Sequence, residues 1–378
     1  MKCNIKFEEL KKAVQAAGKA IKKSPLEQAL IKLEAKGEVL ELSVSGLLGA
    51  VIQIPAAVKE EGEFVTSYAS INIISVRKDT GTVTMANVDD NTLVLKYKKA
   101  KTVLAKNNTA FADVAQAAEN IPSVSIPIAD MRKIAKETIF VSDDDPNTNL
   151  HALKMDIQDD MEGLIKLTVS ACDGKSMAVR TVYAVKDGNY TGSTILLPEQ
   201  MKAAMDIMQG DEGNIKISIG DSKIFMQYEN VRICFPEISK QFPNLSSILK
   251  QKNCSFSAKF KKQDLIDALN CAIYLENNQP VATGRASSVE LTFEDDGISI
   301  SCTGLSEYTE KIDAELTGEI DDSALFTSSL LKEIVNMYPS DTVILGGTKS
   351  KNPFWMCAGE HDEYIYCIMP KVKVIPKK

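Results

Sequence analysis

The chain repeats itself three times, and a long internal period constrains the fold more than any single motif. The first recurring landmark is an amphipathic helix: KFEELKKAVQAAG at 6–18, PIADMRKIAKETI at 127–139 and FKKQDLIDALNCAIY at 260–274. The equivalent apolar positions Leu10, Met131 and Leu265 are 121 and 134 residues apart. The second landmark is a strand running into another helix: FVTSYASINIISVRK, ILLPEQMKAAMDIMQ and LFTSSLLKEIVNMYP. Thr66, Pro198 and Thr327, 132 and 129 apart, are expected at helix starts, where Thr caps and Pro fits the first turn. The third is an apolar-Pro step, Ile121-Pro122, Phe242-Pro243 and Met369-Pro370, at spacings of 121 and 127.

Between these landmarks, runs such as LIKLTVSACDG and VELTFEDDGISISCTG alternate apolar and polar residues. That alternation is the signature of half-buried strands. Asp296-Gly297 and Gly220-Asp221 are hairpin signals. The expected fold class is α+β, with three repeated domains of two helices packed on β-sheet, at 1–122, 123–252 and 253–378.

Charge is unevenly distributed. The net charge is −7, which alone argues against a nucleic-acid partner. Yet the acidic residues crowd turns, as at Asp89-Asp90, Asp143 to Asp145 and Asp295-Asp296, while the helices carry lysine. At 100° per residue, Phe7, Leu10, Val14, Ala17 and Ile21 share one sector of the first helix. Lys11, Lys12, Lys19, Lys22 and Lys23 lie opposite, the last three less certainly helical if the helix stops at Gly18. Arg132, Lys133 and Lys136 gather on the second helix, Lys202 lies on its partner, and Lys261 and Lys262 open the third. One reading is a phosphate-binding surface; the other is a solvated helix face.

Several chemistries find no support. There is no GxxxxGK(S/T) or GxGxxG phosphate loop and no GxSxG elbow. The two histidines, His151 and His361, are far apart, and the eight cysteines include no CxxC pair. Buried reduced thiols are expected, with no metal and no cofactor. Pro146 breaks the one acidic stretch that approaches a calcium loop. No apolar run of about 18 residues exists and no secretory signal is visible, so a cytoplasmic protein without a membrane span is expected.

Three motifs carry a family resemblance. Ser170-Ala171-Cys172-Asp173-Gly174-Lys175-Ser176-Met177-Ala178 is similar to the pattern Ala-Thr-Asp-Gly-aromatic-Arg-Leu-Ala, departing from it at Cys172, Lys175 and Ser176. Phe242-Pro243-Asn244-Leu245 is similar to Phe-Pro-Asp-Tyr, and Tyr366-Cys367-Ile368-Met369-Pro370 to a closing strand. In this order, on this repeat, the whole chain resembles the bacterial DNA sliding clamp, the β subunit of DNA polymerase III, as a divergent member with a longer tail running to Lys378.

The resemblance implies a non-catalytic processivity factor. Two copies of three domains would close a ring around duplex DNA, tethering the polymerase III catalytic subunit, the clamp loader and repair proteins through short apolar peptides. It implies a peptide pocket of Leu150, Cys172, Gly174, Lys175, Ser176, Met177, Pro243, Ser247, Ile248, Cys367, Met369 and Pro370, with a contribution near Lys351 to Phe354. Core packing is the alternative for the apolar members. Sequence-independent DNA contact falls to Lys12, Lys19, Lys23, Arg132, Lys136 and Lys202. The homodimer interface is expected where edge-strand-like segments meet, Thr102, Val103 and Leu104 against Ile273, Tyr274 and Leu275. The rivals are a phage, plasmid or divergent clamp-fold protein with a non-replicative partner set, a metal-dependent nuclease and a β-rich scaffold.

Overall fold

A computed structural model describes residues 1–21, 29–111, 121–160, 163–186, 191–252, 254–278, 288–303 and 307–372. The first round of elements is β1 (Lys2–Lys6), α1 (Phe7–Ile21), β2 (Leu30–Lys36), β3 (Val39–Ser45), β4 (Gly49–Glu60), β5 (Gly62–Ser67), α2 (Tyr68–Ile71), α3 (Ile73–Val76), β6 (Thr82–Asp89), β7 (Thr92–Tyr97) and β8 (Ala100–Ala105). The second is β9 (Val124–Pro127), α4 (Ile128–Ile139), β10 (Leu153–Asp159), β11 (Leu164–Cys172), β12 (Ser176–Val185), β13 (Gly192–Leu196), α5 (Pro198–Ile207), β14 (Asn214–Gly220), β15 (Lys223–Tyr228), β16 (Val231–Pro236) and α6 (Ser246–Leu249). The third is β17 (Phe256–Lys261), α7 (Lys262–Asn277), β18 (Val289–Glu294), β19 (Gly297–Thr303), β20 (Glu307–Ile312), β21 (Ala314–Thr317), β22 (Ala324–Phe326), α8 (Ser328–Met337), β23 (Thr342–Gly347), β24 (Phe354–Ala358) and β25 (Tyr364–Ile368).

Each round opens with a strand feeding directly into a helix, and Leu10, Met131 and Leu265 are all fully buried on those helices. In α1 the buried residues Phe7, Leu10, Val14, Ala17 and Ile21 recur every three or four positions, with Glu8 and Glu9 in the first turn and Lys19 in the last. Those charges complement the helix dipole. The helix does not stop at Gly18. That glycine is needed for close approach, because a Cβ there would lie 2.2 Å from the Tyr68 hydroxyl. The hydroxyl in turn sits 3.1 Å from the Val14 carbonyl, which accepts its proton.

The second landmark differs in its first copy. Thr66 is buried within β5, and Ser67 caps α2 by accepting from the Ser70 amide. Pro198 does open α5, and Thr327 is the N-cap residue of α8. Gly220-Asp221 and Asp296-Gly297 lie at the β14–β15 and β18–β19 turns, the first with Asp221 and Ser222 both at positive φ.

By compactness the chain divides into two units. Unit 1 comprises Met1–Ala135, Met155–Leu167 and Tyr183–Ser239; unit 2 comprises Lys136–Lys154, Thr168–Val182 and Lys240–Lys378. Unit 1 contains a sheet ordered β8-β7-β6-β1-β4-β16-β15-β14-β9, with β2, β3 and β5 joined to it through β3–β4. Its terminal strand β8 pairs only with β7 among the described residues. Unit 2 contains the run β12-β25-β24-β23-β17-β21 and a separate sheet β20-β19-β18-β22.

Candidate functional site

Strand alternation builds the main site in unit 2. Register pairs Met177 with Cys367 and Val179 with Ile365 across β12 and β25. It pairs Trp355 with Cys367 and Cys357 with Ile365 across β24 and β25. Side chains two apart share a face, so these residues form one apolar strip. Met177, Val179, Trp355, Ile365 and Cys367 cluster with Cys172 and Leu245, and Leu150, Phe242, Ile248, Leu249 and Cys357 pack against them partly exposed. The neighbouring positions Ala178, Arg180, Tyr366 and Ile368 are buried as well.

Five of the twelve pocket residues named from sequence, Leu150, Cys172, Met177, Ile248 and Cys367, therefore lie in this one cluster. Met177 and Cys367 are its floor, 2% and 3% exposed. Ser176 is also buried; Pro243 and Pro370 are half-buried; Gly174, Lys175, Ser247 and Met369 are exposed at its rim. Val179, Leu245, Trp355 and Ile365 were not anticipated. Phe354, expected to contribute, belongs elsewhere: it is fully buried, stacks on Phe293 and meets Phe326 edge to face. The next residue, Trp355, takes the place in the cluster.

Burial pushes the thiols of this cluster up from their ordinary 9.0: Cys172 to about 11, Cys357 to about 12 and Cys367 to about 12. They are protonated at neutral pH and poor nucleophiles. Iodoacetamide at pH 8 should modify the exposed Cys254 and Cys271 and leave these three intact. A folded-state pKa raised above the unfolded value favours the fold below that value. This stabilisation should therefore be lost as pH rises from about 9 towards 12. Peptide mapping of alkylated protein tests this; equal labelling of Cys367 and Cys271 at pH 8 would show the cluster to be open.

The basic positions separate into two groups. Lys12, Lys136 and Lys202 are exposed on α1, α4 and α5. Lys19 and Arg132 are engaged within unit 1. The Lys19 ammonium donates to the Asp206 carbonyl at 2.6 Å, and Arg132 donates to the Met208 carbonyl and pairs with Asp211 at 3.0 Å. Both thus satisfy the C-terminal end of α5, where carbonyls lack helical partners and cations are favoured. Lys23 lies outside the described residues.

The edge segments also need correction. Thr102, Val103 and Leu104 do lie on β8, but Leu104 is buried at 1% exposure while Val103 is 56% exposed. Ile273, Tyr274 and Leu275 are not on a strand; they lie in the last turns of α7, with Tyr274 69% exposed. Three strands in that part of the chain end a sheet among the described residues, β20, β21 and β22, and β20 pairs there only with β19. The two edges differ in charge. The β7–β8 hairpin exposes Lys96, Lys98, Lys99 and Lys101, whereas β20 exposes Glu307 and Glu310 alongside Lys311, which is bound to Glu294 and Asp296.

Among the described residues, no group of three or more His, Cys, Asp or Glu is arranged to hold a metal ion. No helix of the described residues is long and apolar enough to cross a membrane.

Among solved structures, the chain is similar in fold to the DNA polymerase sliding clamp of Bacillus subtilis, with a TM-score of 0.89 at 16% identity over 99% of this chain and 100% of that one. It is similar also to the DNA polymerase β subunit of Streptococcus pyogenes (TM-score 0.84, 18% identity, 99% and 100% covered). The DNA polymerase III β subunit of Pseudomonas aeruginosa gives a TM-score of 0.85 at 16% identity over 98% and 100%. The fold is therefore that of the sliding clamps over 98–99% of the chain. Residues 125–244 match, more specifically, the family of the DNA polymerase III beta subunit, central domain. No curated protein matches the chain in sequence.

Proposed function

We propose that this chain is a DNA sliding clamp: a non-enzymatic ring that encircles duplex DNA in the cytoplasm and tethers the replicative polymerase. The carrying observation is that the clamp fold extends over 98–99% of this chain and 100% of the three clamps compared, joined to the central-domain match. Fold alone does not assign function. The reading is supported by what the fold carries: lysines exposed on α1, α4 and α5, and an apolar cluster with an exposed rim in unit 2.

The mechanism follows from those parts. Lysine contacts to phosphate carry no sequence information and are weakened by salt. Such contacts suffice when a closed ring holds the duplex by topology, and they let it slide. Lys12, Lys136 and Lys202 are the principal contacts; Lys19 and Arg132 chiefly cap α5. Polymerase, loader and repair proteins dock short peptides on the Met177–Cys367 cluster, where buried apolar anchors dominate binding. The ring closes head to tail, with β8 of one copy along β20 and the Tyr274 end of α7 of the other. The three clamp domains are residues 1–122, 123–252 and 253–378.

Protein placed by a clamp loader on nicked circular plasmid should co-elute with it and be lost once the plasmid is cut to linear form. Equal retention on circle and linear DNA would contradict topological binding. A loader-dependent gain in polymerase processivity separates a replicative clamp from a clamp-fold protein serving other partners.

A further inference from the structure

We propose that Asp173 is a positioning residue for the peptide pocket, acting through the Lys175 carbonyl on Met369. The inference rests on the reading of this cluster as a partner site. Asp173 sits in the turn between β11 and β12. One carboxylate oxygen, Oδ1, accepts three hydrogen bonds: from the Lys175 amide at 2.8 Å, the Ser176 amide at 2.6 Å and the Ser176 hydroxyl at 3.0 Å. The Asp173 amide donates to the Ser176 carbonyl at 3.2 Å, closing the turn from the other side. Gly174 supplies the bend with φ at +81°, a conformation side chains with a Cβ rarely adopt. A Cβ there would lie 3.5 Å from Leu150 Cδ1, so the turn abuts a pocket wall.

The turn holds something beyond itself. The β12–β25 ladder ends at the Ser176–Ile368 pair. One further rung follows, from the Met369 amide to the Lys175 carbonyl at 2.7 Å. Met369 is 39% exposed, the exposed large apolar side chain of the pocket set. Its backbone is held by a carbonyl whose orientation is set by Asp173. The same geometry explains a departure from the family pattern. Ser176, where that pattern has arginine, is 4% exposed and turns its hydroxyl back onto Asp173. It supports the rim from beneath and leaves Lys175 as the one basic residue of the turn.

The test compares Asp173→Ala with Asp173→Asn in the full chain, because Asn keeps an acceptor at Oδ1 and commonly closes such turns. Two readouts are taken: exchange of the Met369 amide, and calorimetric affinity for a clamp-binding peptide from the same organism's replicative polymerase. Asp173→Ala is expected to speed Met369 exchange at least tenfold and weaken the peptide about tenfold. The Thr181 amide, bonded to the Glu363 carbonyl at 2.9 Å further along the same strand pair, should keep its protection. Asp173→Asn should stay within about threefold of the parent on both readouts. Unchanged Met369 exchange in Asp173→Ala overturns the proposal, as does an Asn variant as impaired as Ala. A parent chain that ignores the peptide while Met369 exchange responds as expected would sink the partner-site reading and leave the positioning role standing.

Discussion

Replacing Arg180 with Met is expected to destabilise unit 2 by about 3–5 kcal/mol, the usual consequence of leaving a buried charge without its partner. The Arg180 side chain is 3% exposed and that of Glu137 is 14% exposed, with Nε 2.5 Å from Oε2. The guanidinium also donates to the Glu363 carbonyl and lies over the Tyr364 ring, 3.3 Å from its centroid. One side chain therefore ties the end of α4 to β12 and β25. Removing it strands the Glu137 carboxylate away from solvent. The Glu363 carbonyl suffers less, since it still accepts from the Thr181 amide. The double variant Arg180→Met, Glu137→Leu should recover most of the loss, because a buried ion pair replaced whole by apolar groups is often neutral. Trp355, the single tryptophan, lies in unit 2 within the pocket cluster, so its fluorescence reports the relevant unfolding in urea. A single variant as stable as the parent, or a double variant worse than the single, would contradict this account.

What the sequence discloses depends on whether the relevant physics is local. The faces of α1 and α4 are legible because burial at three- and four-residue spacing is a property of one helix, and the hairpin turns because Gly and Asp act within two residues. Gly18 is misleading: read locally it ends a helix, whereas its cause is Tyr68, fifty residues away. Ile273 and Tyr274 fall in the amphipathic run 260–274, so the helical period already places them on α7; the expectation of an edge strand there belongs to the dimer implied by the family resemblance. The pocket is half legible. The motif residues Cys172, Met177 and Cys367 stand out, but Val179, Trp355 and Ile365 join them only through strand register, and Leu245 through the chain segment that leads into α6. Register is also what separates Trp355 from Phe354, one residue and one sheet face apart. The engagement of Lys19 and Arg132 with the end of α5 is invisible in sequence because the acceptors are backbone carbonyls of a distant helix.

Reversing two charges on the β7–β8 hairpin should break the proposed homodimer and allow a matched heterodimer to form. Lys96 and Lys101 face each other directly across β7 and β8, and both are exposed. Like charges in that arrangement destabilise a strand pair on their own, so an acidic surface laid along β8 relieves them. On a second copy, β20 offers Glu307 and Glu310 from an edge that pairs only with β19 among the described residues. An isologous β8–β8 contact would instead bring lysine against lysine, so the charge pattern selects the head-to-tail arrangement. Lys96→Glu with Lys101→Glu keeps a like-charge pair across β7 and β8 and changes only the sign of the charge beside the edge. Facing Glu307 and Glu310, it should weaken the homodimer roughly a hundredfold, since opposed like charges across an interface cost several kcal/mol. Glu307→Lys with Glu310→Lys should fail in the same way against the native β8. Mixed together, the two variants match at both junctions of a two-membered ring: glutamates on one β7–β8 hairpin meet lysines on the other copy's β20, and the native pair meets at the second junction. Light scattering at low salt should therefore show two poorly associating species that combine into a dimer, with the contrast shrinking as salt screens it. If each variant alone dimerises as tightly as the parent, or if mixing restores nothing, β8 and β20 are not the edges that meet.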